Sequence, residues 1–294
     1  MDNCMNANSP IRLLDESPRG EVQAAGPPQP GFVRRQVDLP IRDDLLRVVL
    51  DVAEDRKARL VDAVAVIRRI DDRVIRSCLA QAAKDGKKPL CRKGCHPCCQ
   101  SYLLVLSPAE MYYQMELLDS LEVSLATGAR EWFARFAAEI RRSGLLERLR
   151  DLAPGDRPLD IIEKWFNDQE DRACPFLDTA EGICGIYEDR FICCREFHSL
   201  RPPADCARHQ TSRLAITPSL LDVPCDLEAR LTGQPVGAIT MPALQLWYEI
   251  RAAEAARDWP ALLVADELLA CLTGAASQSQ LLRVSVTVDP PAGP

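Results

Sequence analysis

The chain has 294 residues and a net charge of −7 at neutral pH, with 47% hydrophobic and 27% charged residues. That length can bury one substantial hydrophobic core or two smaller ones, and the composition is ordinary for a globular protein. The acidic balance argues against general nucleic-acid binding, which needs a basic surface, so we expect no nucleic-acid partner.

The sequence shows no membrane span and no export signal. No apolar stretch approaches the roughly 20 residues that cross a bilayer, and the N-terminus lacks a basic segment followed by an apolar one. We therefore expect no membrane partner and a cytoplasmic location. In a reducing compartment the 13 cysteines are more readily metal ligands or redox groups than disulfides.

Residues 1–40 contain several prolines and glycines without an apolar period, which predicts a flexible leader. From Asp43 to about Asp85 the pattern is helical, and Gly86 is a suitable stop. Apolar residues recur there at steps of three and four: Leu60, Ala63, Ile67, Ile70, Val74 and Cys78. We therefore interpret Cys78 as a buried side chain and not as a ligand.

A capping box opens the next helix, because Ser107 is followed by Pro108 and by Glu110. Further helices are predicted over residues 107–128, 130–144, 145–152, 159–170, 242–256 and 260–273, with a short strand or turn near 183–187. The predicted fold is all-α, an irregular helical domain over residues 41–275 with cysteine-rich metal-binding loops. Residues 276–294 are predicted to be a C-terminal tail.

A first cysteine run, CRKGCHPCC, occupies residues 91–99. Thiolates two or three residues apart can face one metal when a tight loop folds the chain around it. Gly94 and Pro97 supply the backbone freedom and the restraint that such a loop needs. Arg92 and Lys93 would help to keep the neighbouring sulfurs as thiolates. Packing alone is a poor explanation for four cysteines in so short a segment.

A second run, CPFLDTAEGICGIYEDRFICCR, occupies residues 174–195, and Cys206 and Cys225 follow it. Separated cysteines in a loop-rich stretch suit ligation better than helix packing. Taken together, the two runs resemble the YkgJ-type cysteine-cluster family, also described as a zinc- or iron-chelating domain. The resemblance extends over about residues 88–210.

The resemblance implies a set of eight metal-ligating cysteines. They are Cys91, Cys95, Cys98, Cys99, Cys174, Cys184, Cys194 and Cys206. Ser107 and Glu110 also fit the family's usual continuation. The chain departs from the pattern at Phe191, where proline is usual, and at Cys193, an extra thiol that leaves the choice between Cys193 and Cys194 open.

Eight thiolates exceed the four that a tetrahedral zinc uses, and iron–sulfur clusters commonly take four cysteines each. Two mononuclear sites, one polynuclear assembly, or one site with spare redox thiols would each account for them. The adjacent Cys98 and Cys99 favour ligands that are divided between two metals. Thiolates suit zinc and iron–sulfur clusters alike; with the resemblance in view, we prefer an iron–sulfur cluster to zinc.

The histidines and arginines near the runs have alternative interpretations. His96, His198 and His209 are each either ligands or ordinary hydrogen-bonding side chains, and ligation by Cys225 also stays open. Arg190 and Arg195 either offset thiolate charge or bind an anionic substrate, or they form salt bridges with the acidic residues beside them.

We therefore predict an iron- or zinc-binding cysteine-cluster protein, preferably iron–sulfur with a redox role, whose partners are metal ions. The alternative is a metal-dependent oxidoreductase or modifying enzyme with a protein partner or substrate, because the resemblance extends to flagellin lysine N-methylases. A zinc-stabilised interaction module is a further alternative. The Cys91, Cys95 and Cys98 spacing also matches radical S-adenosylmethionine enzymes, but the β-branched runs of their barrel are missing.

Overall fold

The computed structural model describes residues 9–14, 27–42, 44–152, 157–210 and 212–285, and only the backbone of 279–285. The chain divides into two compact units: residues 1–81, 216–235 and 258–294 form the first, and 82–215 and 236–257 the second. The strands are β1 (Ile11–Leu13), β2 (Phe32–Ile41), β3 (Asp44–Ala53), β4 (Lys57–Arg59), β5 (Val105–Leu106), β6 (Leu177–Asp178), β7 (Ile183–Cys184), β8 (Ile239–Thr240) and β9 (Asp258–Pro260).

The helices are interspersed with these strands along the chain. They are α1 (Leu60–Lys84), α2 (Pro97–Ser101), α3 (Pro108–Leu117), α4 (Val123–Arg142), α5 (Leu145–Arg150), α6 (Pro158–Asn167), α7 (Ile192–Arg195), α8 (Pro203–Ala207), α9 (Val223–Thr232), α10 (Leu244–Ile250), α11 (Ala252–Ala255) and α12 (Ala261–Ser285). Short 3₁₀ turns lie at Tyr187–Asp189 and Met241–Ala243.

The first unit is built on an antiparallel sheet with the strand order β1-β3-β2. Its register pairs Phe32 with Ala53 along the β2–β3 hairpin, and Ile11 with Val52 between β1 and β3. Helix α12 packs against β2, β3 and α9. The predicted apolar stripe of α1 is buried throughout, Cys78 included, and the helix ends two residues before Gly86. That part of the sequence analysis is confirmed.

The second unit has an aromatic core. Trp132, Phe133 and Phe136 on α4 pack with one another, and the Phe136 ring lies 6.0 Å from that of Trp165 and 5.8 Å from that of Phe166 on α6. Because these large rings are almost completely buried, they make a large contribution to the hydrophobic stabilisation of the unit. The core therefore forms from helices that lie outside the two cysteine runs.

The all-α prediction is wrong, and the fold is mixed α and β. Helix accounts for 52% and strand for 15% of the structure, including several sheets. The apolar run of β3 satisfies a helical period as well as an extended one, and its β-branched Val48, Val49 and Val52 favour the strand. Strand β2 carries Pro40, which is tolerated because β2 lies at the edge of the sheet.

Strands β1 and β2 fall largely within residues 1–40, the range assigned to the leader. The predicted limits of leader, domain and tail stay a prediction; residues 1–8, 15–26 and 286–294 lie outside the described residues. Helix α12 includes Gly274 and continues to Ser285, although Gly274 was expected to end it.

The capping box of α3 is present, since the Ser107 hydroxyl accepts from the Glu110 amide and the Glu110 carboxylate from the Ser107 amide. The helix that begins at Ser107 was predicted to continue to residue 128, but α3 ends at Leu117. Helix α4 starts where the Glu122 carboxylate accepts from the amides of Ser124 and Leu125, and Gly128 lies inside it.

One segment, Ala261–Gln278 of α12, is long and apolar enough to cross a membrane by length and composition. A buried core helix meets the same criterion, and 44% of this segment is buried within the structure. Its buried residues include Val264, Ala265 and Leu268, on a helix that packs against β2, β3 and α9.

Two leucines of β3 test the sheet of the first unit. Leu50 is completely buried, whereas Leu45 is 66% exposed. We expect Leu50→Ala to lower the free energy of unfolding by about 2–5 kcal/mol, because it removes buried methyl groups and leaves a cavity. Leu45→Ala should change it by less than about 0.5 kcal/mol. Urea unfolding measures both, and equal effects would contradict this placement of β3.

Candidate metal centre

The first cysteine run forms a tight turn followed by a short helix. The Cys95 amide donates to the Arg92 carbonyl at 2.9 Å, and Gly94 has φ = 86°, a conformation that favours glycine. Pro97 then begins α2, which carries Cys98 and Cys99. The expected roles of Gly94 and Pro97 in a tight loop are confirmed. The turn and the helix place Cys95, Cys98 and Cys99 around one pocket.

The second run is shaped by a small hairpin and a one-turn helix. Strands β6 and β7 pair Leu177 with Cys184, and the turn between them is held by the Asp178 carboxylate, which accepts from two turn amides. Cys193 and Cys194 lie on α7. At the start of the run, the Cys174 amide donates to the Cys99 carbonyl at 2.6 Å, so the two runs are joined directly through the backbone.

Helix α3 holds the second run in place. Glu110 is 1% exposed, and its Oε1 accepts from the Ile192 amide at the start of α7 at 2.8 Å. The Tyr113 hydroxyl donates to the Asp189 carboxylate, and the Gln114 side-chain amide to the Asp189 carbonyl, both at 2.9 Å. One face of α3 therefore fixes the segment that leads to Cys194.

Six of the eight predicted ligands line one pocket in this unit. They are Cys95, Cys98, Cys99, Cys174, Cys184 and Cys194. The wall between the sulfurs is mostly apolar and includes Phe176, Ile186 and Phe191, with Tyr187 and Arg190 as polar members. The structure thus brings cysteines from both runs to one cavity.

Cys91 and Cys206 do not line the pocket, but both contact Ser199. The Ser199 amide donates to Cys91 Sγ at 3.1 Å, and the Cys206 thiol donates to Ser199 Oγ at 3.3 Å. These two cysteines also lie close enough to Cys95 to add to the rise in its pKa, whose main cause is burial. The predicted set is therefore gathered in one region, with six members in the pocket and two beside it.

The nine cysteines from Cys91 to Cys206 are all free thiols. In the part of the chain that the structure describes, no three histidine, cysteine, aspartate or glutamate side chains are already positioned to hold a metal ion. The chemistry of the pocket nevertheless fits zinc or iron, because its donors are almost exclusively sulfur. Loading a metal therefore requires these side chains to draw closer together.

Burial and crowding raise the pKa of the pocket thiols. Burial is the main cause at Cys174 and Cys184. At Cys98 and Cys194 the main cause of the raised pKa is a hydrogen bond with the neighbouring thiol, from Cys99 and Cys193 respectively, and burial comes second. Without a metal, these groups therefore hold their protons at neutral pH.

Cys98 lies at the electrostatic centre of the group. Its charge is among the causes that raise the pKa of cysteines in both runs, after burial or a thiol hydrogen bond: Cys91, Cys95, Cys174, Cys184 and Cys194. The Arg190 guanidinium acts in the opposite direction on Cys91, Cys184 and Cys194. Arg190 would therefore favour thiolates at these three positions, which agrees with one of the roles predicted for it, and its guanidinium lies 3.7 Å from the centre of the Tyr187 ring.

The remaining candidates fall at different places. His96 lines the pocket. The His198 ring bonds to the Arg195 backbone and its Nε2 is buried with no partner in the described structure; burial lowers its pKa. His209 lies 4.6 Å from the Tyr102 ring. Arg195 donates to the backbone carbonyls of Arg190 and Glu188 and has a structural role. Cys225 lies on α9, in the first unit.

Three contributions escaped the sequence analysis. One is the hydrogen bond from the Ile192 amide to Glu110, and another is the pair of hydrogen bonds between Ser199 and the sulfurs of Cys91 and Cys206. These contacts depend on the tertiary structure, so no local sequence pattern predicts them. Cys193 was noticed only as an ambiguity, but its thiol bonds to Cys194.

The buried carboxylate of Glu110 provides a test of the α3 scaffold. We expect Glu110→Ala to lower the free energy of unfolding by about 3 kcal/mol, because the Ile192 and Ser107 amides lose their acceptor, at about 1–3 kcal/mol for each buried group. Glu110→Gln keeps one oxygen and should lose less. Urea unfolding with Glu116→Ala, an exposed position on the same helix, is the comparison; a loss as large for that control would refute the assignment.

The raised thiol pKa values predict how stability depends on pH. In the unfolded chain a thiol titrates near its ordinary pKa of 9.0, whereas Cys174 and Cys184 keep their protons to higher pH in the folded unit. Their contribution to stability is full below about pH 9 and is lost as the pH rises above it. The unfolding free energy of the metal-free protein, measured in urea, should fall between about pH 8 and pH 10. A flat profile would contradict the burial of these thiols.

Comparison with known families agrees with this site. Residues 90–213 match the model of the CxxCxxCC family, described as a putative zinc- or iron-chelating domain. The match covers both cysteine runs and all eight predicted ligands, and it confirms the resemblance drawn from the sequence. No curated protein and no solved structure matches the chain. Over residues 90–213 the chain is therefore similar to the CxxCxxCC family of putative zinc- or iron-chelating domains.

Proposed function

We propose that the chain is an iron–sulfur protein whose centre is held by eight cysteines, namely seven from the two runs together with Cys206. The carrying observation is that six cysteines, drawn from segments far apart in sequence, line one pocket. A tetrahedral zinc uses four thiolates and leaves the others without a role. Iron–sulfur assemblies use several cysteines in one place, which suits this pocket better.

The position of Cys98 supports a shared centre over two separate four-thiolate sites. Cys98 lines the same pocket as Cys95 and Cys99 of the first run and Cys174, Cys184 and Cys194 of the second, so it is close to thiols of both runs. Two isolated sites would need these thiols to separate into two groups. A polynuclear assembly needs no such separation.

The pocket wall would adapt the centre to electron transfer. Phe176, Ile186 and Phe191 limit the access of water, and Arg190 offers a positive charge close to three of the thiols. Burial, nearby charge and hydrogen bonds to sulfur are the means by which proteins set the potential of such centres. We also propose a cytoplasmic location, because that compartment keeps thiols reduced and available to bind a metal.

A second candidate is an enzyme that modifies a protein side chain at the same centre. Tyr187 and Arg190 line the pocket beside the sulfurs, so a phenol hydroxyl and a guanidinium group are available there in addition to the thiols. Both groups could orient an anionic or polar substrate. Binding of a lysine-containing peptide that perturbs the visible spectrum of the loaded protein would favour this candidate.

Metal analysis of the full chain tests the proposal. We expect anaerobically purified protein to contain iron and acid-labile sulfide, and Cys98→Ser to retain less than half of both, because its thiol serves both halves of the centre. Cys271→Ala, which removes a buried thiol on α12 in the first unit, should leave both unchanged. A folded, metal-free product would refute metal binding, and zinc without sulfide would refute the iron–sulfur assignment.

A further inference from the structure

Ser199 is held rigidly between α7 and α8. It is 1% exposed, and its carbonyl accepts from the Leu90 amide at 2.8 Å. Its hydroxyl accepts from the Arg201 amide at 3.0 Å and donates to the Arg201 carbonyl at 3.1 Å. The bond to Leu90 matters because the next residue is Cys91, so the backbone of Ser199 and the start of the first cysteine run are tied together.

The same residue contacts two sulfurs that are distant in sequence. Its amide lies 3.1 Å from Cys91 Sγ, and its hydroxyl oxygen lies 3.3 Å from Cys206 Sγ. These are the two predicted ligands that do not line the pocket. Ser199 therefore contacts both of the proposed ligands that lie outside the pocket, Cys91 and Cys206.

The two contacts have different chemistry. A backbone amide can only donate, so its bond to Cys91 suits a negatively charged sulfur. A hydroxyl can donate and accept, and its proton rotates freely. In the present arrangement it accepts from the Cys206 thiol. When Cys206 becomes a thiolate, rotation of the proton away from the Arg201 carbonyl converts the same contact into an O–H···S bond.

We propose that Ser199 is a positioning residue that donates hydrogen bonds to Cys91 and Cys206 as thiolates in the metal-loaded centre, and thereby strengthens its hold on the metal. This inference rests on the proposed function, because it needs the two sulfurs to be ligands. Outer hydrogen bonds of this kind typically change metal affinity by about 10- to 100-fold. The alanine side chain would keep the amide bond and remove only the hydroxyl.

The test uses the metal-free full chain and Co²⁺, whose thiolate complexes absorb in the visible range, in competition with a chelator. We expect Ser199→Ala to bind Co²⁺ about 10-fold or more weakly than the parent. Ser212→Ala changes an exposed serine of the neighbouring segment and should match the parent. Binding by Ser199→Ala within twofold of the parent would overturn the inference.

Unfolding of the metal-free proteins separates positioning from a general role in the fold. If metal-free Ser199→Ala unfolds at the same urea concentration as the parent, weaker Co²⁺ binding supports the inference; if its lost stability accounts for the whole change in affinity, the inference fails. Ser199→Thr restores the hydroxyl, and recovery of affinity by this variant adds support. A parent chain that takes up neither Co²⁺ nor iron would instead refute the proposed function.

Discussion

The hydrogen bond from the Cys174 amide to the Cys99 carbonyl joins the two cysteine runs. Helix α2 of the first run has no buried residue, whereas the second run buries Phe176 and Phe191. Once this bond forms, α2 and the β6–β7 hairpin face one cavity, and their sulfurs become neighbours. The contacts from α3 to Ile192 and Asp189 then fix the far end of the second run. The geometry of the pocket follows from these few long-range bonds.

Bringing the thiols together has an electrostatic cost that a metal removes. Burial disfavours the charged thiolates and neighbouring thiolates would repel one another, so the metal-free pocket keeps its protons and the pKa values of Cys174 and Cys184 rise. A bound cation reverses this balance, since it replaces the protons and attracts every sulfur at once. Arg190 reduces the repulsion but supplies a single charge. The pocket is thus suited to a metal more than to thiolates left alone.

The sequence predicted elements whose causes are local. The stripe of α1 is visible because Leu60, Ile67 and Val74 recur with the period of a helix, and the box of Ser107 and Glu110 marks the start of α3. The sheet of the first unit was missed because the ten residues of β3 fit two periods, and only pairing with β1 and β2 decides between them. The set of eight proposed metal ligands came from the resemblance to the cysteine-cluster family, whereas Ser199 and the Glu110–Ile192 bond depend on tertiary contacts.

The aromatic core explains how a pocket of loops can exist before a metal arrives. Phe176 lines the pocket and also lies 6.0 Å from Phe133 in the core, and Phe191 lies 6.4 Å from Phe176. The inner wall of the pocket is therefore an extension of the hydrophobic interior, which folds from α4 and α6 without help from sulfur. In zinc fingers the metal supplies the folding energy, because no such core exists. Here Phe176 and Phe191 link the pocket wall to packed aromatic rings, so this wall has hydrophobic stabilisation that does not depend on a metal.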